Sequence, residues 1–456
     1  MRSFSGLDYS AMKGIWRSRG YGSLATCDDE GILFQDLTAL SLIPVERLRW
    51  DEAERALEFV DSASPNHMSF KNAHDVTVYQ FDRLVDGGVT RPIGAGDLDA
   101  ARNFDVFCAY LLENYAFNTL RGVDWREVQA RYRPKILAAP DENRLAEVFA
   151  EIIFALKDAH TSVARPGQFI APGSLIADRK VDVERAFGAP AWVTHRAAYT
   201  RIVQSAFGDM FLGGRYRVLC NHMMICGEIE PGIGYLSIFG EFGFGANDTA
   251  RRALDLPRRR TDSAAFLRAE IEGMNAGLDE AAEALSGVRA LIVDTRLNYG
   301  GYDRLALEFA GRFSDQRRLA YRKKAWTPNG FTAAQDINFE PRQPSFAHLP
   351  VYMLTGRQTA SAGEILVLAM RACPNVTIVG EDTLGILSDN LYKRLPNGWE
   401  LSLSNEVYEA GDGGLYEARG VPPDVACIVH DPLDVRGGLN VAVETAIAAA
   451  RRDIGA

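Results

Sequence analysis

The feature that most restricts the fold of this chain is an alternation of short apolar runs with helical stretches after Gly234. The pattern predicts a helix near 263–286, a strand over 289–294, a helix over 303–313, a strand over 350–355 and another helix from Ser361. Runs such as Val351-Tyr-Met-Leu-Thr355 are too short for a helix and too continuously apolar for a half-exposed strand, so each reads as a strand covered on both faces. Strands of that kind joined by helices make an α/β core around parallel strands.

Within this core, the strand before Gly356 re-emerges as a helix opened by Ser361. The first amides of a helix lack intrahelical partners and can hold an anion, so a tetrahedral intermediate on Ser361 would place its oxyanion beside them. Ser361-x-x-Glu364 is also a capping box, in which the hydroxyl does no more than satisfy a backbone amide. A second segment, Asp294-Thr-Arg-Leu-Asn298-Tyr-Gly300-Gly301, ends a strand in turn chemistry that frees further amides. Two more segments stand apart: Asp158-Ala159-His160-Thr161 closes an amphipathic helical run, and Glu417 precedes Gly420-Val-Pro-Pro-Asp424. Taken singly, His160 reads as a C-terminal helix cap and Glu417 as an exposed turn carboxylate.

Together, and in this order, the four segments resemble the family of C-terminal processing (tail-specific) peptidases, tricorn core proteases and the retinoid-binding repeats of the eye. The resemblance covers roughly residues 100–165 and 225–450, and includes the hairpin Leu395-Pro-Asn-Gly-Trp-Glu-Leu-Ser402 before the glutamate. It implies a ClpP/crotonase-like spiral core. It also implies Ser361 as nucleophile, with the backbone amides of Ala362 and Gly300 as the oxyanion hole. One branch of the family activates its serine with a downstream lysine, but the stretch Gly380–Asn390 has none and the first lysine after the serine is Lys393. The resemblance therefore points to the tricorn-like branch, with His160 as general base and Glu417 orienting it. Members of that branch carry a serine before the histidine where this chain has Ala159.

Upstream of the core, residues 1–95 read as a β-rich domain, with strand-like Gly14-Ile-Trp-Arg-Ser18, Ile32-Leu-Phe-Gln-Asp-Leu-Thr38 and Val76-Thr-Val-Tyr-Gln-Phe-Asp82. Residues 96–165 change to helical period, with Phe104, Phe107, Tyr110, Leu111 and Tyr115 on one face, and form the unit that carries His160. Residues 166–226 read as a connecting segment with a helix near Arg196–Phe207. It is short for a PDZ domain and has no glycine-rich carboxylate loop, so no clear PDZ domain is expected. Residues 227–456 form the peptidase core.

Cys220-Asn-His222-Met-Met-Ile-Cys226 has the ingredients of a metal site but matches no common zinc spacing, and reads as a strand near the core. Arg258-Arg259-Arg260 reads as a solvated loop. No metal or other cofactor is expected. A formal net charge of −10 argues against nucleic acid and anionic membranes as partners. The N-terminal residues lack the apolar segment of a signal peptide, and six scattered cysteines without a CxxC pair fit a reducing compartment, so a cytoplasmic location is expected. The expected function is that of a serine-type peptidase, a hydrolase acting on peptides or proteins, with an oligomer possible. The rivals are a peptide cyclase or acyltransferase using the same acyl-enzyme, and a non-catalytic ligand-binding protein of this fold.

Overall fold

The computed structural model describes residues 9–85, 89–165, 168–171, 207–245, 260–430 and 439–455. Its centre is a seven-stranded sheet in the order Arg217–Leu219, Met224–Glu230, Ile233–Ile238, Ala290–Asp294, Val351–Thr355, Val376–Gly380, Val425–Ala426. The first two pairings are antiparallel and the rest parallel. Every residue of Ile233–Ile238, Ala290–Asp294 and Val351–Thr355 is buried, as expected for strands covered on both faces. Helix Val441–Ile454 packs across the parallel strands, and Asp303–Ala310 packs on Ala362–Arg371. The mixed α/β core follows the alternation in the sequence closely: the long helix spans Arg260–Ala284, and Asp303–Ala310 continues as a 3-10 turn to Phe313.

The N-terminal strands make one seven-stranded antiparallel sheet within residues 14–83, with Trp16, Phe34 and Phe70 in its core. Arg260 ties this sheet to the centre. Its amide and guanidinium donate to Glu46 (3.2 and 3.1 Å), and the guanidinium lies over the Phe34 ring at 3.9 Å. The expected solvated loop is thereby corrected at Arg260, because a carboxylate and an aromatic face compete successfully with water for this cation; Arg258 and Arg259 lie outside the described residues.

Helices Ala100–Asn114, Trp125–Ala138 and Glu142–Leu156 bury the apolar face read from the sequence, including Phe104, Phe107, Tyr110, Leu111 and Tyr115. They share that core with Leu395, Trp399, Leu401 and Leu403 of a hairpin some 250 residues later in the chain. The hairpin strand Glu400–Ser404 pairs with Ser162–Arg165, so a strand following His160 is stitched to the segment leading towards Glu417. The connecting segment lies mostly outside the described residues, as does the helix expected near Arg196–Phe207 up to residue 206.

One local reading is corrected. Cys220, Asn221 and His222 do not continue a strand: all three adopt left-handed conformations (φ 50°, 52° and 70°) and reverse the chain between two antiparallel strands. The reversal is held by Asn221, whose side-chain amide donates to the Gly243 carbonyl at 3.1 Å, and asparagine tolerates this conformation better than most residues. Among the described residues no cluster of three or more histidine, cysteine, aspartate or glutamate side chains could hold a metal ion, and no helix is long and apolar enough to cross a membrane.

Candidate active site

Ser361 sits at the turn between strand Val351–Thr355 and helix Ala362–Arg371 with φ 56° and ψ −127°. A helix N-cap is ordinarily extended, and this conformation is one that side-chain-bearing residues rarely adopt. The neighbours that enforce it are visible. The Ala360 amide donates to the Asn298 carbonyl at 3.0 Å, and the Ser361 amide donates to Glu364 Oε2 at 3.1 Å. Gly300 lies directly against the turn: a Cβ there would meet both the Ala360 carbonyl oxygen and the Ser361 Cβ at 2.6 Å. With φ +84° as well, only glycine fits the position.

Glu364 does much more than cap a helix. Its carboxylate is fully buried and accepts from the Thr383 hydroxyl (2.5 Å) and the amides of Gly385 (2.7 Å), Ile386 (2.8 Å) and Ser361 (3.1 Å). Burial outweighs these donors and raises its pKa. Glu417 continues the same device one residue along, with Oε2 accepting from the amides of Leu387 (2.8 Å) and Ser388 (3.1 Å). Two buried carboxylates thus fasten the loop Thr383–Ser388 beside the serine. Lys393, the first lysine beyond this loop, is committed elsewhere: it is buried and donates to Asp36 at 2.7 Å.

His160 is presented by a turn rather than by a helix end. Helix Glu142–Leu156 stops at Lys157 in a left-handed conformation, and the buried Asp158 then organises the chain. Its carboxylate accepts from the His160 amide (3.0 Å) and from the hydroxyls of Tyr115 (2.8 Å), Thr161 (3.1 Å) and Ser404 (3.1 Å). The His160 carbonyl accepts from Ser402 at 2.8 Å. Both main-chain groups of the histidine are therefore pinned, while its ring Nδ1 has no partner among the described residues. Burial lowers the pKa of the ring, against the opposing charge of Asp158 and the main chain of Ser388, so the imidazole is neutral at pH 7.

The structure brings the predicted residues into one neighbourhood. Ala159, next to His160, packs with Ala360, next to Ser361, and with Ile386 of the intervening loop. Two expected contacts are not formed. No hydrogen bond joins Glu417 to His160: Glu417 Oε2 is spent on backbone amides, while Oε1 and His160 Nδ1 are both buried and lack partners among the described residues. Ala362, as the first residue of its helix, keeps an amide with no intrahelical acceptor, whereas the Gly300 amide already donates to Asn298 Oδ1 at 2.9 Å. The asparagine that makes the turn captures the donor the turn would otherwise free.

Sequence reasoning missed Glu241. It is fully buried, its Oε1 accepts from Asn298 Nδ2 at 2.6 Å, and its main chain brackets the glycine turn through Glu241 N–H to Gly300 carbonyl (3.0 Å) and Tyr302 N–H to Glu241 carbonyl (2.9 Å). Burial, with the charge of Asp303 adding to it, pushes its pKa up to about 8. A folded-state value above the unfolded one means that the native state holds the extra proton, so the stability this group supports is fully present below about pH 4.5 and is lost progressively as pH rises from there to about 8. Glu241→Gln is therefore expected to melt within a degree or so of wild type near pH 4.5 and several degrees higher at pH 9, an effect on the order of a few kcal/mol. Thermal melts at the two pH values check this, and an equal difference at both would contradict it. Nearby, burial, with the charge of Asp75 adding to it, raises Asp303, soon after the glycine turn, to about 6.

Residues 265–427 match the profile of peptidase family S41, and residues 97–154 match that of the tricorn protease C1 domain. A stretch of 156 residues is 26% identical to the carboxy-terminal processing protease CtpA of Bacillus subtilis (strain 168), covering 34% of this chain and 32% of that protein. The chain thus aligns with about a third of the length of the curated relative it matches. Among solved structures, a peptidase candidate from Parabacteroides merdae superposes with a TM-score of 0.58 over 78% of this chain and 97% of its own, at 22% identity, a likeness of fold. The strained Ser361 turn thus lies inside the segment similar to peptidase family S41, and the helices leading to His160 lie largely inside the segment similar to the tricorn protease C1 domain.

Proposed function

We propose that the chain is a serine peptidase of the tricorn-like branch, with Ser361 as nucleophile, His160 as general base and Glu417 as the carboxylate behind it. The observation that carries this reading is the Ser361 backbone at φ 56° and ψ −127°, a conformation that a capping serine does not need and an exposed nucleophile on a sharp strand-to-helix turn does. His160 takes the hydroxyl proton, and the serine oxygen attacks a peptide carbonyl. The oxyanion forms beside the Ala362 amide and the Gly300 turn, where the Gly300 donor comes into use as it shifts from Asn298 Oδ1. The protonated imidazole then returns its proton to the leaving amine, and water releases the acyl group. The substrate is a peptide or protein. The cysteines are all unpaired, which supports a reducing, cytoplasmic setting.

The test is turnover of a fluorogenic peptide library by wild type and Ser361→Ala, with products identified by mass. Wild type should yield hydrolysis products, and the variant should lose at least a thousandfold in kcat/KM. Products lighter than these by one water would assign the acyl group to an amine instead, and equal rates in the two proteins would remove Ser361 from the mechanism.

A further inference from the structure

Three buried polar groups around the candidate site lack hydrogen-bond partners among the described residues: His160 Nδ1, Glu417 Oε1, and the Nε and Nη2 of Arg121. Orphaned buried groups are uncommon and call for an explanation. Arg121 ends the short helix Asn118–Arg121, one turn beyond Tyr115, whose hydroxyl binds Asp158. Its side chain is 11% exposed and that of Glu417 is 9% exposed, and Arg121 Nη2 stands 3.8 Å from Glu417 Oε1. That separation is an ion pair without a hydrogen bond. The two unpartnered nitrogens, Nε and Nη2, form one side of the guanidinium fork, the side that grips a carboxylate with two bonds.

We propose that Arg121 is a positioning residue of this site, supplying the counter-charge that lets Glu417 act as the carboxylate behind His160. The inference rests on the serine-peptidase reading above and extends it to a residue from the helical unit. Its need follows from what surrounds Glu417. Burial, then the charges of Asp158 and Glu364, push Glu417 up to about 8, and the amides of Leu387 and Ser388 offset this only in part. A protonated Glu417 could not stabilise an imidazolium on His160. Arg121 is the cation that faces the carboxylate, and Tyr115, held on Asp158, stays neutral because burial raises it. Closing the 3.8 Å gap by about an ångström would complete the fork and favour the ionised carboxylate.

The test is the rate at which a fluorophosphonate modifies Ser361 between pH 5.5 and 9, in wild type, Arg121→Ala, Arg121→Gln and Arg121→Lys. Arg121→Ala should label at least tenfold more slowly at pH 7, and the rise of its rate with pH should move upward by about one unit, because Glu417 then ionises later. Arg121→Lys, which keeps the charge, should recover to within about threefold of wild type, and Arg121→Gln, which keeps donors but no charge, should not. If the alanine variant does not fold, the glutamine and lysine variants decide the matter. A folded Arg121→Ala with the wild-type rate and profile would overturn the proposal, as would glutamine and lysine variants impaired equally with unmoved profiles. Wild type that fails to label at any pH would instead overturn the serine-nucleophile reading, and the proposal with it.

Discussion

Replacing His160 with alanine is expected to lower peptide turnover by about a thousandfold or more, almost entirely in kcat, while the protein remains folded. A positioned general base contributes about two to four orders of magnitude to such a step. The second half of the expectation is specific to this turn. The main chain of His160 is held by Asp158 at its amide and Ser402 at its carbonyl, so the loop keeps its shape when the ring is gone. The ring itself buries a nitrogen with no partner among the described residues, and its loss leaves no new orphan at Nδ1. Wild type should also lose activity towards acid pH with a midpoint below the ordinary histidine value of about 6.5, because burial lowers the ring's pKa and the base must be neutral to work. A variant retaining more than a tenth of wild-type kcat, with its melting temperature unchanged, would remove His160 from the chemistry.

The second large effect falls on stability. Glu364→Ala strands three backbone amides and the Thr383 hydroxyl in the interior, each having lost its carboxylate acceptor. At about 1–3 kcal/mol for each unsatisfied buried group, the loss should be on the order of 5 kcal/mol, far into the tail of single-substitution effects. The amides belong to the Ser361 turn and to the loop behind it, so the variant should also label more slowly with a serine-directed probe even where it is folded. Glu364→Gln keeps one acceptor oxygen and should fall between the two. Denaturant midpoints combined with labelling rates measure both effects. A destabilisation below about 1 kcal/mol for the alanine variant would mean that the Thr383–Ser388 loop is held by other contacts.

What was legible in the sequence was what short-range pattern encodes. Apolar pattern marks the strand Val351–Thr355 and the amphipathic helix Glu142–Leu156, and the order of the four segments, through the family resemblance, implies that Ser361 and His160 share one site. The groups that set the chemistry of the site are joined by long chain separations and leave no such pattern. Glu364 reads as a capping box because its Ser361 partner is three residues away, while its other donors lie about 20 residues further on. Arg121 and Glu417 meet only because the hairpin before Glu417 shares a core with the helical unit. The turn Asn298–Gly301 was legible as a turn, but the two roles of its asparagine were not: one side-chain atom takes the Gly300 amide and the other reaches the buried Glu241. Cys220–His222 was misread for a related reason, since three successive left-handed residues follow from local fit against Gly243 rather than from apolar periodicity.

The most direct test of the central claim, that Ser361 is an activated nucleophile rather than a helix cap, is the intact mass of wild type and Ser361→Ala after treatment with a fluorophosphonate. A single adduct on wild type and none on the variant is the predicted result. An unmodified wild type, or an adduct of equal yield on both proteins, would contradict it.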